Sequence, residues 1–446
     1  MADSRATGKD SMATGPNALA SGDASVASGR NAKAESFGAV AIGNEAVATG
    51  GKSVSIGTAN FASGDGAVAI GDPNFATGPG AVALGRDNIA TGEGAVAIGD
   101  TNLIEGDGAT ALGLRNVGKG MGTTALGRLN TAMGDESIAV GTANQVDGVG
   151  SIAIGSNNVV TGYHSLAIGS NIQSLDADTL AIGSSSFVGG LHSAAIGNRA
   201  RADQKKALAV GNDAVASAVS TSAFGYTTLA SGLEPNAIGA RSAARGAYST
   251  AVGRNSSADR FASSSFGLLA SSQGYAATAL GSGAMAVHDG SVALGASSRT
   301  IRGEVGAYAA FGGNSVQSSA GEIAIARNLG YFDPITNSQT LTGNRQITGL
   351  AAGSADTDAV NVIQLKGVAR SIGTALADSL GGGATYDVTA GSVSRPTYLV
   401  NGAAYANVSD AFGALASQIS TAQGSATQPA AVSQTPIHRI RVCLRK

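Results

Sequence analysis

Glycine and large apolar residues recur along the first two thirds of the chain with a fixed period of 14. Glycine occupies every fourteenth position from Gly15 to Gly295, which is 20 steps without a gap. We call these residues the phase glycines. Glycine makes up 66 of 446 residues, too few for chance to produce such a run. Because a fixed period of this kind indicates stacked repeats, we predict a solenoid with one coil per 14 residues.

The residues around each phase glycine predict two short strands per coil. The residue before it is large and apolar in all 19 repeats from Ile42 to Leu294, and another apolar residue often stands two positions earlier. Such alternation is typical of a strand. A further apolar residue four positions after the glycine, such as Val47, marks the second strand. We assign the large apolar residues of the first strand to the core of the coil: Ile42, Ile56, Ile70, Leu84, Ile98, Val40 and Val68.

The phase glycines are expected to form turns between the strands. Glycine adopts positive φ angles without steric cost, so it permits a sharp reversal of the chain. The turn residues of five successive coils are Gly43, Gly57, Gly71, Gly85 and Gly99. The 20 steps would span on the order of 100 Å at the strand spacing of about 4.8 Å. The alanines between the apolar residues would form a flat outer strip, which predicts self-association through the alanine face.

The C-terminal third has a different pattern. Ser354, Asp356 and Asp358 predict a helix N-terminus near Thr357, because short polar side chains cap free backbone N–H groups. Spacings of 3 and 4 then predict a coiled-coil seam, formed by Val362, Leu365, Ala369, Ile372 and Leu376. A glycine break, strands near Val393 and Tyr398, and a second helix capped by Ser409 or Asp410 follow.

These patterns divide the chain into seven segments. We predict β-roll repeats over 1–300, an irregular β transition over 301–343, a segment that leads into the first helix over 344–366, a short coiled coil over 367–380, a glycine-led β insertion over 381–407, a helix continuing the coiled coil over 408–425, and a disordered tail over 426–446. The predicted fold class is mainly β, a parallel β-roll solenoid followed by helices.

Two sequence motifs resemble the YadA-like trimeric autotransporter adhesins. The AVAIG repeats resemble their head, and RQITGLAAGSADTDAVNVIQLK over Arg345 to Lys366 resembles their neck. The resemblance implies a left-handed β-roll, a homotrimer with a coiled-coil stalk, and a place on the bacterial cell surface. Family members carry a signal peptide and a C-terminal membrane barrel, so it also implies that this chain is a fragment or a truncated frame attached only through a missing anchor. The neck residues that it implies are Arg345, Gln346, Ile347, Asp356, Asp358, Val362 and Leu365.

Composition argues against an enzyme or a nucleic-acid-binding protein. Charged residues are 13% of the chain and the net charge is −2, which gives no support to nucleic-acid binding. The single cysteine, Cys443, has no internal partner for a disulfide. The histidines are scattered without metal-ligand spacing, and no nucleophile stands beside a base. We therefore expect no catalytic residues, no metal and no cofactor.

One polar column keeps its phase for eight coils: Asn60, Asn74, Asn88, Asn102, Asn116, Asn130, Asn144 and Asn158. Two interpretations are open for this column. The side chains stack and hydrogen-bond along the solenoid, or the first four, Asn60 to Asn102, contribute to ligand contact on an outer face.

Together with these patterns, the resemblance implies a non-enzymatic adhesion module of a trimeric bacterial surface adhesin, which binds host matrix, cells or surfaces by multivalent contacts. Specificity would lie in variable turn residues such as Asn44, Asp72, Arg86 and Arg128. Two alternatives are an ice-binding solenoid, which would need a regular threonine array, and a purely structural one. A solenoid acyltransferase fits less well, because its coils need about 18 residues.

Overall fold

A computed structural model describes residues 3–309, 316–325, 331–333, 338–340 and 345–426. The chain forms two compact units, Met1–Arg345 and Gln346–Lys446. The predicted tail lies outside the described residues from residue 427 onwards.

The first unit is a parallel β-solenoid, as the 14-residue period predicted. Its coils pair in register with a shift of 14 residues, so Val68 lies beside Val82 and Gly71 beside Gly85. Every coil has a first strand before the phase glycine and a second strand after it, and each stacks on the same strand of the next coil. The predicted fold class is therefore confirmed.

The strands of the solenoid are short, and two of them run through both halves of a coil. The first strands are Met12–Thr14, Val26–Ser28, Val40–Ile42, Val54–Gly57, Val68–Ala76, Val82–Ala90, Val96–Asp100, Thr110–Leu114, Thr124–Arg128, Ile138–Thr142, Ile152–Ser156, Leu166–Ser170, Leu180–Ser184, Ala194–Ile196, Leu208–Val210, Ser222–Phe224, Asn236–Ile238, Thr250–Val252, Ser264–Phe266, Thr278–Leu280 and Val292–Leu294. The separate second strands are Arg5–Ala6, Leu19–Ala20, Lys33–Ala34, Val47–Ala48, Phe61–Ala62, Leu103–Ile104, Val117–Gly118, Thr131–Ala132, Gln145–Val146, Val159–Val160, Gln173–Ser174, Phe187–Val188, Arg201–Ala202, Val215–Ala216, Leu229–Ala230, Ala243–Ala244, Ser257–Ala258, Ser271–Ser272 and Met285–Ala286.

The solenoid ends in a less regular segment. Val305–Ala309 pairs with Val316–Ser319 in an antiparallel hairpin that contains a register shift. Ile323–Ala324 then returns to the solenoid and pairs in parallel with Val292 and Ala293. A second antiparallel pair joins Tyr331–Asp333 to Ser338–Thr340. After the hairpin, the chain thus adds one further parallel strand to the end of the solenoid.

The second unit contains two helices of 19 residues, α1 over Val362–Leu380 and α2 over Val408–Ala426. Two antiparallel hairpins lie between them. The first pairs Tyr386–Asp387 with Ser392–Val393, and the second pairs Tyr398–Val400 with Ala403–Tyr405. The ring of Tyr386 lies against Gly373 of α1, where any Cβ would collide with it.

The predicted start of α1 near Thr357 is wrong, because the helix begins at Val362. Asn361 caps it: its side-chain oxygen accepts a hydrogen bond from the N–H of Gln364 at 3.0 Å. Asp358, one of the predicted caps, instead accepts hydrogen bonds from the backbone N–H groups of Ser354 and Ala355. These bonds hold a turn before the helix. In α2 the N–H of Asp410 donates to the side chain of Asn407, so neither Ser409 nor Asp410 is the cap.

Candidate adhesive surface

The interior of each coil is filled by small side chains, which corrects the predicted core. In one coil the inward residues are Ala39, Ala41, Ala46 and Ala48, all fully buried. The large apolar residues assigned to the core point outward instead. Ile42 is 39% exposed and Leu84 is 38% exposed. Ile56, Ile70, Ile98, Val40 and Val68 are half-buried.

The physical reason for this correction is that the two strands of a coil lie close together. Alternation requires one set of side chains inside and the other outside, and the inner space accommodates alanine, serine and asparagine in most coils. A larger inward residue needs space in a neighbouring coil. The fully buried Ile104 extends its Cδ1 atom to where a Cβ on Gly118 would lie. The alanine face is therefore the core and not an outer strip.

The outward side of the first strand carries two columns, the residues three and one before each phase glycine, which we call the apolar columns. The column three before the glycine is apolar from Val40 to Val96 and from Ile138 to Leu208, but it holds Thr, Ser or Asn at positions 110, 124, 222, 236, 250, 264 and 278. The column next to the glycine stays large and apolar from Ile42 to Leu294. Its members include Leu112 at 48% exposure and Leu280 at 45%. Soluble proteins rarely expose such a continuous apolar strip. This face of the single chain is suited to contact with other chains.

The asparagine column lies inside the solenoid. The eight side chains are at most 1% exposed. In a typical rung the Asn88 amide N–H group donates to the side-chain oxygen of Asn74 at 3.0 Å and to the carbonyls of Leu84 and Gly99. The Asn88 oxygen accepts from the backbone and side chain of Asn102. The stacking interpretation is correct. The ligand-facing assignment of Asn60, Asn74, Asn88 and Asn102 is wrong, because no ligand reaches a buried side chain.

We expect Asn88→Ala to destabilise the solenoid by about 3 kcal/mol or more, because each buried polar group left without a partner costs roughly 1–3 kcal/mol. The alanine would leave the carbonyls of Leu84 and Gly99 and the amide of Asn102 without this partner. The measurement is hydrogen exchange of the backbone amides in the coils around Asn88, with the exposed Thr58→Ala as the control. Exchange no faster than in the control would contradict the structural role of the column.

The phase glycines lie at the first corner of each coil, where the close approach of coils excludes a side chain. Gly43, Gly57, Gly71, Gly85 and Gly99 have φ angles between 120° and 127°. A Cβ on any of them would lie under 3.0 Å from the carbonyl oxygen of the next phase glycine. Both the backbone angle and the space therefore require glycine.

Charged and polar side chains lie at the same first corner, next to the phase glycines, and contact their counterparts in the next coil. Arg86 donates to Asp100 of the next coil at 2.6 Å. A hydrogen bond from the Thr101 hydroxyl, assisted by Arg86, holds the pKa of Asp100 below its usual value. Asn44 accepts a hydrogen bond from Arg30 at 2.9 Å, while Asp72 and Arg128 are exposed. These exposed pairs contribute little stability, so they are free to vary.

Comparison with known proteins identifies the repeats. The YadA head domain repeat matches at ten places that together cover more than half of the chain: 6–32, 34–60, 48–72, 76–102, 119–144, 147–171, 189–214, 202–228, 237–256 and 272–298. The coiled stalk of trimeric autotransporter adhesins matches residues 346–388. The chain belongs to the YadA-like trimeric autotransporter adhesins.

Individual relatives of this adhesin chain match over limited lengths. The trimeric autotransporter adhesin AtaA of Acinetobacter sp. (strain Tol 5) is 41% identical over 112 residues, which are 24% of this chain and 3% of AtaA. The crystal structure of the collagen-binding domain of the Yersinia adhesin YadA is 28% identical. That match covers 48% of this chain and 85% of the YadA domain, with a TM-score of 0.25. Since so low a score means poor superposition, the fold described above rests on this chain's own hydrogen bonds.

The neck residues of this adhesin chain have different environments. Arg345 belongs to the first unit and covers Gly295, and its guanidinium donates to Ser298 at 2.8 Å and to the carbonyls of Ala296 and Ile325. It thereby closes the end of the last coil. Five neck residues of the second unit are exposed: Gln346, Ile347, Asp356, Val362 and Leu365. Asn361, the neighbour of Val362, is half-buried. Hydrogen bonds from the N–H groups of Ala355 and Ser354 lower the pKa of Asp358.

Two neck residues of the adhesin were missed by sequence reasoning. Gln364 receives hydrogen bonds from the N–H groups of Asn361 and Gly353 and donates to the carbonyl of Gly353 at 2.8 Å. Asn361 donates to the carbonyl of Leu350. Together they tie the segment before α1 to its first turn. The signal was available, since an asparagine followed three residues later by glutamine is a capping-box pattern.

The described part of the adhesin contains neither a cluster of metal ligands nor a helix that could span a membrane. Among these residues no group of three or more His, Cys, Asp or Glu side chains could hold a metal ion. No helix within the same ranges is both long and apolar enough to cross a membrane.

Proposed function

We propose that the chain forms a homotrimeric adhesive module that binds host matrix or cell-surface ligands at the bacterial surface. The observation that carries this proposal is the pair of apolar columns on the first strands, of which the column next to the phase glycine continues without a break from Ile42 to Leu294. Association of three copies through these columns would remove their apolar side chains from water, and each buried methylene contributes about 0.8 kcal/mol.

The second unit independently supports association. The seam residues Val362, Leu365, Ile372 and Leu376 of α1 are all at least half exposed in the single chain. An isolated helix of this length is marginally stable in water, so partner helices along the seam would stabilise it. Membership of a trimeric family makes three the expected number of copies.

Adhesion would then use the surfaces that trimerisation leaves free. With the first strands facing the partners, the second strands and the corners of every coil remain available to a ligand. Many weak contacts displayed in three copies gain avidity by effective concentration and need no deep pocket. This is the arrangement expected of an adhesin and not of an enzyme.

Sedimentation velocity and a bead assay test the proposal together. We expect the full chain to sediment with three times its 43.3 kDa mass. Beads coated with it should adhere to immobilised matrix proteins or cells at least about 100-fold more strongly than a monomeric variant, by avidity. A monodisperse monomer, or trimers that adhere to no matrix or cell preparation, would contradict the proposal.

A further inference from the structure

The net charge of −2 conceals a strong segregation of charge along the solenoid. Residues 1–198 contain nine Lys or Arg against 17 Asp or Glu, a net charge of −8. Residues 199–260, which we call the basic segment, contain eight Lys or Arg against four Asp or Glu, a net charge of +4. The eight basic residues lie in three of five successive coils, with Arg199 to Lys206 in one coil and Arg241 to Arg260 in two adjacent coils.

All eight basic side chains of this segment are exposed: Arg199, Arg201, Lys205, Lys206, Arg241, Arg245, Arg254 and Arg260. Three of them form ion pairs, with Arg199 bound to Asp213, Arg201 to Asp203 and Arg245 to Asp259. The other five make no ion pair with any part of the chain that the structure describes. They leave uncompensated positive charge on the surface.

The basic residues occupy the corners and the second strands, away from the apolar columns. Arg199 and Arg241 follow their phase glycines by two positions, and Arg254 follows by one, so all three lie at the first corner. Lys205 and Lys206 lie at the second corner, between the second strand Arg201–Ala202 and the next first strand Leu208–Val210. Four coil steps separate Arg199 from Arg254, roughly 19 Å at the spacing of parallel strands. The coils that begin at Gly239 and Gly253 are adjacent, so their charges are within the Debye length of about 8 Å at physiological salt and act on a ligand jointly.

The aromatic residues in and beside this segment decide between classes of polyanion. The guanidinium of Arg201 lies over the ring of Phe187 at 4.8 Å, and that of Arg241 lies over Tyr226 at 5.9 Å. The rings of Phe261 and Tyr275 stack on each other at 5.0 Å. Single-stranded nucleic acids bind by stacking bases on open aromatic faces, and each of these four rings already has one face covered by a guanidinium or by the other ring. A polyanion without aromatic bases fits better.

We propose that the basic segment binds a linear polysaccharide bearing sulfate or carboxylate groups. Three of the five unpaired cations, Arg241, Arg254 and Arg260, are arginines, whose planar fork matches such oxyanions. A polysaccharide lying along the coils would meet the basic residues of the Gly197 coil and, three coil steps or roughly 14 Å further on, those of the Gly239 and Gly253 coils. Each trimer would present the segment three times. This inference rests on the adhesive function proposed above and names one ligand class for it.

The test compares two variants that remove the same charge at equivalent positions of the coil. The first carries Lys205→Gln, Lys206→Gln, Arg241→Gln and Arg254→Gln. The control carries Lys9→Gln, Lys52→Gln, Arg115→Gln and Arg128→Gln, which occupy the same positions in the acidic coils. None of the eight forms an ion pair with a described residue. Sedimentation of both variants checks that assembly is intact.

The probes are heparin, an unsulfated carboxylated polysaccharide of equal length, and oligothymidine. We expect heparin binding that weakens linearly with the logarithm of salt concentration. The first variant should lose at least about tenfold in affinity with a shallower salt slope, and the control should stay within about twofold. Binding of both polysaccharides would show that the basic segment recognises their shared negative charge. Binding of heparin alone would show that it recognises sulfate groups.

Three outcomes would overturn the inference. They are equal loss in both variants, tighter binding of oligothymidine than of either polysaccharide, and no salt-dependent binding of either polysaccharide. Trimer formation and bead adhesion to matrix proteins are measured separately. A negative result for polysaccharide binding therefore leaves the proposed function testable. A negative result for trimer formation or bead adhesion does not alter the result for polysaccharide binding.

Discussion

Gly71→Ala is expected to disrupt the solenoid around its coil, with a cost above about 4 kcal/mol, which is exceptional for a single substitution. Gly71 has a φ of 127°, and a Cβ there would lie under 3.0 Å from the backbone carbonyl of Gly85. Since the obstacle is backbone, no side-chain rotation relieves it, and the two coils must separate. Their inter-coil hydrogen bonds would then be lost.

Hydrogen exchange is the appropriate measurement, because long repeat arrays do not unfold in one step. Fast exchange should appear in the coils on both sides of Gly71 and fade with distance. The control is Gly80→Ala, where φ is 66° and nothing lies within 4 Å of the added atom. It should cost only about 1–2 kcal/mol, the left-handed penalty of an L-residue. Lys52 and Glu136 already adopt φ near 57° at the same position of their coils. Equal exchange in both variants would contradict the steric account.

Leu84→Asp combined with Ile98→Asp is expected to convert the trimer into monomers. Both residues belong to the outer apolar column, and the double variant would place six carboxylates in the proposed interface of one trimer. Burying a charge without a partner costs several kcal/mol per ion. Association should therefore weaken by several orders of magnitude, because every 1.4 kcal/mol is tenfold.

The matched control for this variant lies on the opposite face of the same coils. Ile89→Asp with Leu103→Asp changes two apolar residues of the second strand, and Ile89 is 39% exposed against 38% for Leu84. Sedimentation should show monomers for the first pair and trimers for the second. Trimers from both, or monomers from the second pair alone, would mean that the interface lies elsewhere.

The sequence predicted the period, the two strands of each coil and the corners, because each of these is a local requirement. The phase glycines repeat where φ is positive and coils approach closely. The prediction was wrong, however, about which side chains of the first strand face inward. Alternation shows that Ala41 and Ile42 face opposite ways, but only the distance between the two strands decides which faces in. That distance is set by the corners and by the alanines themselves.

The asparagine column and the neck show the same distinction between local and long-range information. Equal spacing from Asn60 to Asn158 predicted stacking correctly, but burial was needed to exclude ligand contact. In the neck, several polar residues could cap α1. The structure selects Asn361, because Gln364 completes the reciprocal bond and also holds Gly353. Asp358 instead stabilises the turn before it.

The central claim is that small side chains fill the coil while the large apolar columns meet the partner chains. Single cysteines at adjacent positions test it most directly, in a background with Cys443→Ser. Ala97 is fully buried and Ile98 belongs to the outward column. Under mild oxidation, Ile98→Cys should form disulfides between chains of one trimer, and Ala97→Cys should form none. Inter-chain disulfides at position 97 and none at 98 would contradict the account.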